Sequence, residues 1–554
     1  MIIEDIKQKI NNALNELNYP LVDYSIDKSK HITHGDLNTN VAMLLKRTPI
    51  GEYLNPFEIA EKIVSKLNKN DFEMIEIVKP GFINFFLKAD TTNELIHTIN
   101  DQKEDFPHFD KIDEIVSVEW VSANPTGYLH IGHARNAVLG EVISKLYEKV
   151  GYTVIRDYVV NDAGNQMNLL ASSVLTRYKQ LFNLLVELPD DSYHGEEIKL
   201  VATALKEQHG DKFVDVKINE NFIIDDESKR KFIRDFARNY LLDQIKHDLA
   251  QLGVKLDCYY SEQQTHDENR FPEIIKMLGD NVYQKDGATW LKTTKYGDDK
   301  DRVLVKSDGA VTYFFPDIYY HWWKLQRDPK IKKLVHVWGT DHYSYLIRVR
   351  AALKCLGYDN ADELFQVIFM QMVKLLKNGQ EFKMSKRSGK SLTLMDLVNA
   401  IGRDAANWFL ISVSASNHLE LDVDLALKRD SNNPLYYVQY ASARANQLLV
   451  KSNYTFDPSV KYLDLNTDIE KEIINMLHFY KQTISYSINN YEPQKLINYI
   501  YNLAKLFHSY YEQVKIIDQS NPNLTQQRLG LVWAFSIVLT NALHLVNIEA
   551  KKEM

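Results

Sequence analysis

Two cysteines in 554 residues, Cys258 and Cys355, lie far apart and outside any CxxC spacing. They suggest neither a disulfide framework nor a structural zinc site, and both read as small buried hydrophobes. The amino terminus, Met1-Ile-Ile-Glu-Asp-Ile-Lys-Gln-Lys9, lacks the apolar core of a secretory signal, and no apolar run approaches the length of a membrane span. The expected compartment is the cytosol, with no membrane partner. An excess of positive charge is missing too. The formal net charge of −8 argues against binding nucleic acid through overall charge and leaves room only for local basic tracks.

What remains is an ordinary globular composition, 45% hydrophobic and 25% charged, long enough for three or four domains with sizeable cores. Its organising stretch is Glu119-Trp-Val-Ser-Ala-Asn-Pro-Thr-Gly-Tyr-Leu-His-Ile-Gly-His133. The β-branched run Ile115–Val121 predicts a buried strand. Ala134, Ala137, Val138, Leu139, Val142, Ile143, Leu146 and Val150 recur at helical spacing until Gly151. The loop between them places His130, Gly132 and His133 at a helix N-terminus, where unpaired N–H groups and the positive end of the dipole suit a polyphosphate. Taken alone, the quartet fits a structural helix cap as well as a phosphate site.

Residues 1–110 read as a small α/β domain, with helical spacing in Ile2–Leu17 and Pro56–Leu67 and strand-like runs in Glu73–Lys79 and Phe82–Leu87. His34-Gly-Asp-Leu-Asn-Thr-Asn-Val-Ala-Met43 reads as a turn-rich connector entering a short helix. Asp101–Asp113 reads as a linker. Residues 111–403 then alternate strands (Ile115–Val121, Thr153–Val160, Lys333–Trp338, Phe365–Val373) with helices (His133–Val150, Tyr343–Leu356), the pattern of a covered parallel sheet. The charged stretch at about 180–280 is too long for a crossover and predicts an insertion. Ligand chemistry in such a sheet sits at the carboxyl ends of the strands where their order reverses. Asn161-Asp-Ala-Gly-Asn165, Gly339-Thr-Asp-His342 and Tyr313-Phe-Phe-Pro-Asp317 are the polar loops expected to converge there with the His130 loop.

Glu381-Phe-Lys-Met-Ser-Lys-Arg-Ser-Gly-Lys390 sets four cations on one loop. It is either a solvated basic loop or, through Lys383 and Lys386, one jaw of a phosphate clamp. From about Asp404 to 554 the spacing is helical, in Asp404–Ser414, Tyr436–Lys451, Thr467–Ile488, Pro493–Val514 and Gln526–Asn547. The second of these carries Tyr436, Tyr437, Gln439, Tyr440 and Arg444, side chains suited equally to a packed bundle and to unstacked bases.

Together these motifs resemble the class I aminoacyl-tRNA synthetases, and among them the bacterial arginyl-tRNA synthetases, over nearly the whole chain. His130-Ile-Gly-His133 matches the HIGH signature and Lys383-Met-Ser-Lys386 the KMSK signature. Ser122-Ala-Asn-Pro-Thr-Gly127, Val160-Asn-Asp-Ala-Gly-Asn-Gln166 and the ending Asn541-Ala-Leu-His-Leu-Val-Asn-Ile-Glu-Ala550 narrow the likeness to the arginine enzymes. Two departures are the bulky residues before Asp317 and Asn541-Ala-Leu-His544 in place of the DALR tetrad.

The resemblance implies a Rossmann-type α/β catalytic domain with an insertion, preceded by an α/β domain that contacts tRNA and followed by a helical anticodon-binding domain. It implies ATP with Mg²⁺, L-arginine and a cognate tRNA as substrates, handled by a monomer. His130, His133, Lys383 and Lys386 would act on the phosphates. Ala123, Asn124, Pro125, Thr126, Gly127, Tyr128, Leu129, Ile131, Gly132, Met384, Ser385 and Arg387 would line the ATP site. Glu119, Asn124, Tyr313, Asp317 and Asp341 would hold arginine, and Tyr436, Tyr437, Gln439, Tyr440 and Arg444 the tRNA. No resident metal site is expected. Two other readings share some of these motifs: a shorter nucleotidylyltransferase, which has a His-x-Gly-His loop but no helical RNA domain, and an RNA-binding paralogue without activity.

Overall fold

Five consecutive buried residues, Ile115–Glu119 (β1), form the middle strand of a five-stranded parallel sheet in the computed structural model, which describes residues 2–29, 32–382 and 392–554. The other strands are Thr153–Val160 (β2), Cys258–Ser261 (β3), Ile331–Gly339 (β4) and Phe365–Met370 (β5), in the order β5-β4-β1-β2-β3. The chain steps from β1 to β2 to β3, then returns to the other side of β1 for β4 and β5. The order therefore reverses between β1 and β4, where Glu119 lies opposite His336. On its other side Glu119 lies opposite Asp157 of β2.

Helix α1 (Ile131–Lys149) crosses from β1 to β2, and its residues are buried almost all round between Gly132 and Tyr147. The sheet covers one face and the helices Leu394–Ile401 and Arg403–Leu410 cover the other, so no polar stripe is needed. Helix α2 (Phe314–Gln326) precedes β4, and α3 (Tyr343–Cys355) crosses from β4 to β5.

Several boundaries differ from the sequence reading. Phe365–Val373 is two strands rather than one. The chain leaves the main sheet after Met370, and Val373–Lys377 (β6) joins Gln380–Glu381 (β7) and Leu419–Asp422 (β8) in a separate sheet. The stretch at 180–280 does contain helices, Glu196–His209 and Glu227–Gln251, which share a core with Asn165–Gln180 through Val174, Ile198, Leu205, Phe213 and Ile233. β3 lies within that same stretch yet belongs to the main sheet; four half-buried residues are too few to show a period. β8 escaped notice for the same reason, so the region after Asp404 opens with a strand as well as helices. Tyr313-Phe-Phe-Pro-Asp317 does not follow a parallel strand. It opens α2 after an antiparallel sheet of Val282–Lys285, Ala288–Leu291 and Arg302–Val305.

Contacts divide the chain into two units, 110–427 with 491–494, described above, and 1–109 with 428–490 and 495–554. In the second unit an antiparallel sheet, ordered Ile26–Lys28, Leu37–Thr39, Phe82–Leu87, Phe72–Val78, packs its apolar face on helices Ile2–Glu16 and Pro56–Lys66 through Ile6, Ile10, Leu14, Ile59, Ile63 and Phe85. The presumed connector His34–Met43 thus holds an inner strand, and the helix Ala89–Gln102 occupies a stretch for which the sequence suggested nothing. Thr467–Ile488 breaks at Phe479 into Asp468–His478 and Tyr480–Asn489. The last helix, Pro522–Leu545, corrects the expectation about apolar runs: by length and composition it could cross a membrane. Its Leu531, Val532, Ala534, Phe535, Val538 and Leu539 are buried within the protein, as in a core helix.

Candidate active site

The chain turns sharply as β1 ends. Val121 and Ser122 both lie at positive φ, +66° and +41°, an expensive conformation for a β-branched residue that persists only where surroundings enforce it. Here they do. The Val121 N–H donates to Asn136 Oδ1 at 2.7 Å, and Asn136 Nδ2 donates to the Val337 carbonyl at 2.9 Å. Ser122 Oγ accepts from the Val159 N–H at 3.0 Å and donates to Glu119 Oε1 at 3.1 Å. Asn161 Nδ2 and the Tyr158 hydroxyl hold the carbonyls of Ser122 and Ala123 at 3.0 and 2.8 Å. The loop after β2 is therefore a brace at Asn161. Asp162 is also a brace, buried and bonded to Ser261 Oγ, the Gln263 N–H and Arg238. Asn124 Nδ2 donates to Gln166 Oε1 at 2.6 Å.

His130 caps α1. Its Nδ1 accepts the Gly132 N–H at 3.0 Å, and His133 Nδ1 accepts the His130 N–H at 3.3 Å. With both Nδ1 atoms accepting, each neutral ring carries its proton on Nε2 and presents a donor. Burial lowers both histidines below the ordinary value, and burial with the neighbouring His130 brings His133 down to about 3. A Cβ on Gly132 would come within 2.9 Å of the His130 ring, so this glycine makes room for the imidazole. The adjoining residues are tied to the far side of the basic loop: the Ile131 N–H donates to the Leu392 carbonyl at 3.1 Å and the Leu394 N–H to the Leu129 carbonyl at 2.7 Å. Lys383, Met384, Ser385, Lys386 and Arg387 lie outside the described residues, but the chain that follows them is anchored to the His130 loop.

Arg135, fully buried two residues past His133, donates to the carbonyls of Gln371, Leu410, Ser414 and Asn417 at 2.8–3.2 Å. It locks α1 to the segment where the chain leaves β5 for β6.

Beneath the loop, Glu119 is buried and fully engaged. Oε2 accepts from the Tyr320 hydroxyl at 2.9 Å and from Lys324 Nζ at 2.8 Å. Burial pushes its carboxyl up, yet the charge and hydrogen bond of Lys324 more than offset this and leave it below the ordinary range. Asp317, one turn into α2, has no lysine or arginine within ion-pair distance among the described residues; His321 Nδ1 lies 3.4 Å from its Oδ1, and Tyr345 hydrogen-bonds to the carboxyl. Its Oδ2 is sealed from solvent without a hydrogen bond among the described residues, and burial raises its carboxyl above the usual value. Tyr313 is 88% exposed, and the Asp341 side chain is also exposed, with His342 Nε2 3.4 Å away. The structure thus gathers Glu119 and Asp317 with Tyr320, His321, Lys324 and His336, of which the last four were not expected. A lysine on the aromatic face of Phe314–Gln326 was the signal available: it lies four residues past Tyr320 and seven past Asp317.

Three family descriptions match in succession along the chain: an arginyl-tRNA synthetase N-terminal domain over residues 4–87, a class I tRNA synthetase (R) catalytic domain over 96–412 and a DALR anticodon-binding domain over 438–554. The chain belongs to the arginyl-tRNA synthetases, class I arginine–tRNA ligases. Among its relatives, the arginine–tRNA ligase of Ureaplasma parvum serovar 3 is 45% identical over 558 residues and all of both chains, and that of Bacillus licheniformis is 37% identical over 99% of this chain and 98% of its own. A crystal structure of an arginyl-tRNA synthetase of Campylobacter jejuni, titled putative, superposes with a TM-score of 0.76 at 34% identity, covering 84% of this chain and all of the other. The Thermus thermophilus arginyl-tRNA synthetase shares the fold over both full chains at 19% identity, with a TM-score of 0.77.

In this synthetase the helix Pro434–Lys451 splits the expected tRNA-facing set. Tyr440 is exposed, and the Arg444 guanidinium lies over its ring and over that of Tyr511, 4.5 Å from each centroid. Tyr436 is half-buried and stacks on Tyr440. Gln439, by contrast, is buried, and Tyr437 packs against Tyr501 and His508. Tyr511 and His508, from the Gln494–Gln513 helix, complete the aromatic patch and were missed because they lie some seventy residues away in sequence. Asn541 donates to the carbonyls of Lys103 and Phe106 at 2.7 and 3.0 Å, a task an amide performs where an aspartate could not. Asp36 is structural: it accepts from the Leu87 N–H at 2.8 Å and from Asn475 Nδ2 at 3.0 Å.

Proposed function

We infer that this chain activates L-arginine with ATP, releasing pyrophosphate, and transfers the arginyl group to the 3′ end of its cognate tRNA. The observation that carries the reading is the pair of neutral imidazoles, each with an Nε2 donor, at the N-terminus of α1, in the same unit as the buried Asp317 carboxylate, whose Oδ2 has no hydrogen-bond partner among the described residues. The arginine carboxylate would attack the α-phosphorus. His130 and His133 would donate to the phosphate oxygens as charge builds there, and the dipole of α1 adds to the same field. No protein nucleophile is needed; positioning and electrostatics supply the rate.

Ala123, Asn124, Pro125, Thr126, Gly127, Tyr128, Leu129, Ile131 and Gly132 are proposed to line the nucleotide site, with Lys383, Met384, Ser385, Lys386 and Arg387 holding the departing pyrophosphate. Mg²⁺ would arrive on the ATP phosphates as part of the substrate. Glu119, Asn124, Tyr313, Asp317 and Asp341 are proposed for arginine, with Asp317 meeting the guanidinium. A planar cation is costly to bury unless a carboxylate receives it. The Tyr436, Tyr440 and Arg444 face is proposed to stack on unpaired bases. One chain carries one full set of these residues in its sequence, so a monomer in the cytosol, where tRNA is charged, suffices.

Charging of total tRNA with each of the twenty amino acids in turn tests the reading. Arginine alone should be incorporated, and pyrophosphate exchange should require tRNA, as the family resemblance implies. Incorporation of another amino acid at a comparable rate would overturn it.

A further inference from the structure

β1, the middle strand of the main sheet, stops before its neighbours do. Its last pairings are at Glu119, with Asp157 on one side and His336 on the other, while β2 runs on to Val160 and β4 to Gly339. Past Glu119 these two strands border a gap, and backbone groups that a strand no longer meets must find other partners. Two side chains supply them. On the β2 side Ser122 Oγ accepts the Val159 N–H at 3.0 Å. On the β4 side Asn136 Nδ2 donates to the Val337 carbonyl at 2.9 Å, and Asn136 Oδ1 accepts the Val121 N–H at 2.7 Å. An N–H can only donate and a carbonyl only accept, so the amide has one workable orientation. It stands between the parted strand ends as a peptide group would.

The backbone it holds is strained. The Ser122 N–H donates to the Trp120 carbonyl at 2.9 Å, and Val121 between them lies at φ +66°, which makes a three-residue turn of the rare left-handed kind. A β-branched residue enters this region against steric resistance, whereas glycine enters it freely. The turn leads from Glu119 into residues 123–129, proposed above for the nucleotide. Asn136 itself is buried on α1, three residues past His133. One side chain therefore ties the helix that presents His130 and His133 both to this turn and to β4, at the point where the strand order reverses.

We propose that Asn136 is a positioning residue for adenylate formation: its amide enforces the left-handed turn at Val121 and so fixes the loop 123–129 relative to His130 and His133. This rests on the placement of ATP and arginine given above. Without the amide, Val121 relaxes to negative φ and the chain leaves β1 in another direction, drawing Ser122 from Val159 and Glu119. In a site that works by alignment, a shift of about 1 Å is worth up to about a hundredfold in rate.

The test lets the backbone supply the rescue. Pyrophosphate exchange with arginine, ATP and tRNA is measured for wild type and Asn136→Ala, and for Asn136→Ala combined with either Val121→Gly or Val121→Ala, at a temperature where circular dichroism shows each protein folded. Asn136→Ala should lower kcat by about ten- to a hundredfold. Adding Val121→Gly should raise it again by about fivefold or more, because glycine holds the turn without help. Adding Val121→Ala should not, since alanine trims the side chain without opening the left-handed region. A merely structural role for Asn136 gives no rescue that distinguishes glycine from alanine. An Asn136→Ala rate within about twofold of wild type, well short of the loss expected from misalignment, would overturn the proposal, as would absent rescue or equal rescue by the two residues. If Asn136→Ala fails to fold, Asn136→Ser, whose hydroxyl is too short to reach both partners, takes its place under the same criteria. Folded wild type that shows no arginine-dependent exchange with tRNA present would instead overturn the reading on which the proposal rests.

Discussion

His130 and His133 stand ring on ring, with centroids 3.7 Å apart and planes 23° from parallel. Each has its Nδ1 occupied by a backbone N–H, so the pair is locked in one tautomer before any ligand arrives. Two cations could not sit this close; two neutral donors can.

Replacing His133 by Ala should therefore slow adenylate formation by roughly one to three orders of magnitude, the effect of losing one oriented transition-state donor, while arginine binding hardly changes. Since the His133 ring protonates only near about 3, no imidazolium is lost as pH rises from 6 to 8. Pyrophosphate exchange with tRNA present should show no decline over that range traceable to this histidine. A decline present in wild type and absent in His133→Ala would refute the neutral-donor role.

Asp317→Asn keeps the shape of the side chain and removes its charge. The arginine kcat/KM should fall by tens to thousands of fold, consistent with about 2–5 kcal/mol for one side of a buried pair, and discrimination against citrulline should shrink. Because burial raises the Asp317 carboxyl, the proton it holds at low pH competes with the guanidinium. The arginine KM should accordingly rise as pH falls towards that raised value in wild type, and stay flat in Asp317→Asn. Arginine KM measured from pH 5 to 8 reads both effects.

His478 is buried in the unit formed by the two chain termini, with both ring nitrogens lacking a hydrogen-bond partner among the described residues, and burial lowers it to about 3. The unfolded chain takes up this proton below about pH 6.5 and the folded one does not. Stability is full above that pH and is lost as pH falls towards the folded value, at up to about 1.4 kcal/mol per pH unit for one such group. Thermal melts between pH 6.5 and 4.5, a window above most carboxylate titration, should show a shallower fall in Tm for His478→Leu than for wild type. Parallel slopes would exclude His478 as a source of acid lability.

Arg135→Met should destabilise by at least about 3 kcal/mol, because the carbonyls of Gln371, Leu410, Ser414 and Asn417 lose one shared donor in a dry interior. Arg135→Lys should recover only part of that, since an ammonium cannot span the same fork. Urea midpoints measure both; a loss below about 1 kcal/mol for the methionine variant would mean that the carbonyls find other partners.

The sequence by itself determined the parts of this protein that rest on local periodicity or on contiguous motifs. β1, β2, α1 and the long helices are buried over enough residues for a period to show, and the His130 and Lys383 signatures are short runs whose chemistry is carried by neighbours in the chain. It could not show β3 or β8, whose four residues each become strands by pairing with β2 and β6, distant in sequence. Nor could it give the work of Gly132 in clearing space for a ring two residues away. Above all it could not assign charge partners. Lys324 reaches Glu119 across 205 residues and Arg327 reaches Asp157 across 170. Which carboxylates are paired with a cation follows from distances between strands and a helix that only the folded chain brings within a few ångströms, because Coulomb and hydrogen-bond energies depend on separation in space and not along the chain.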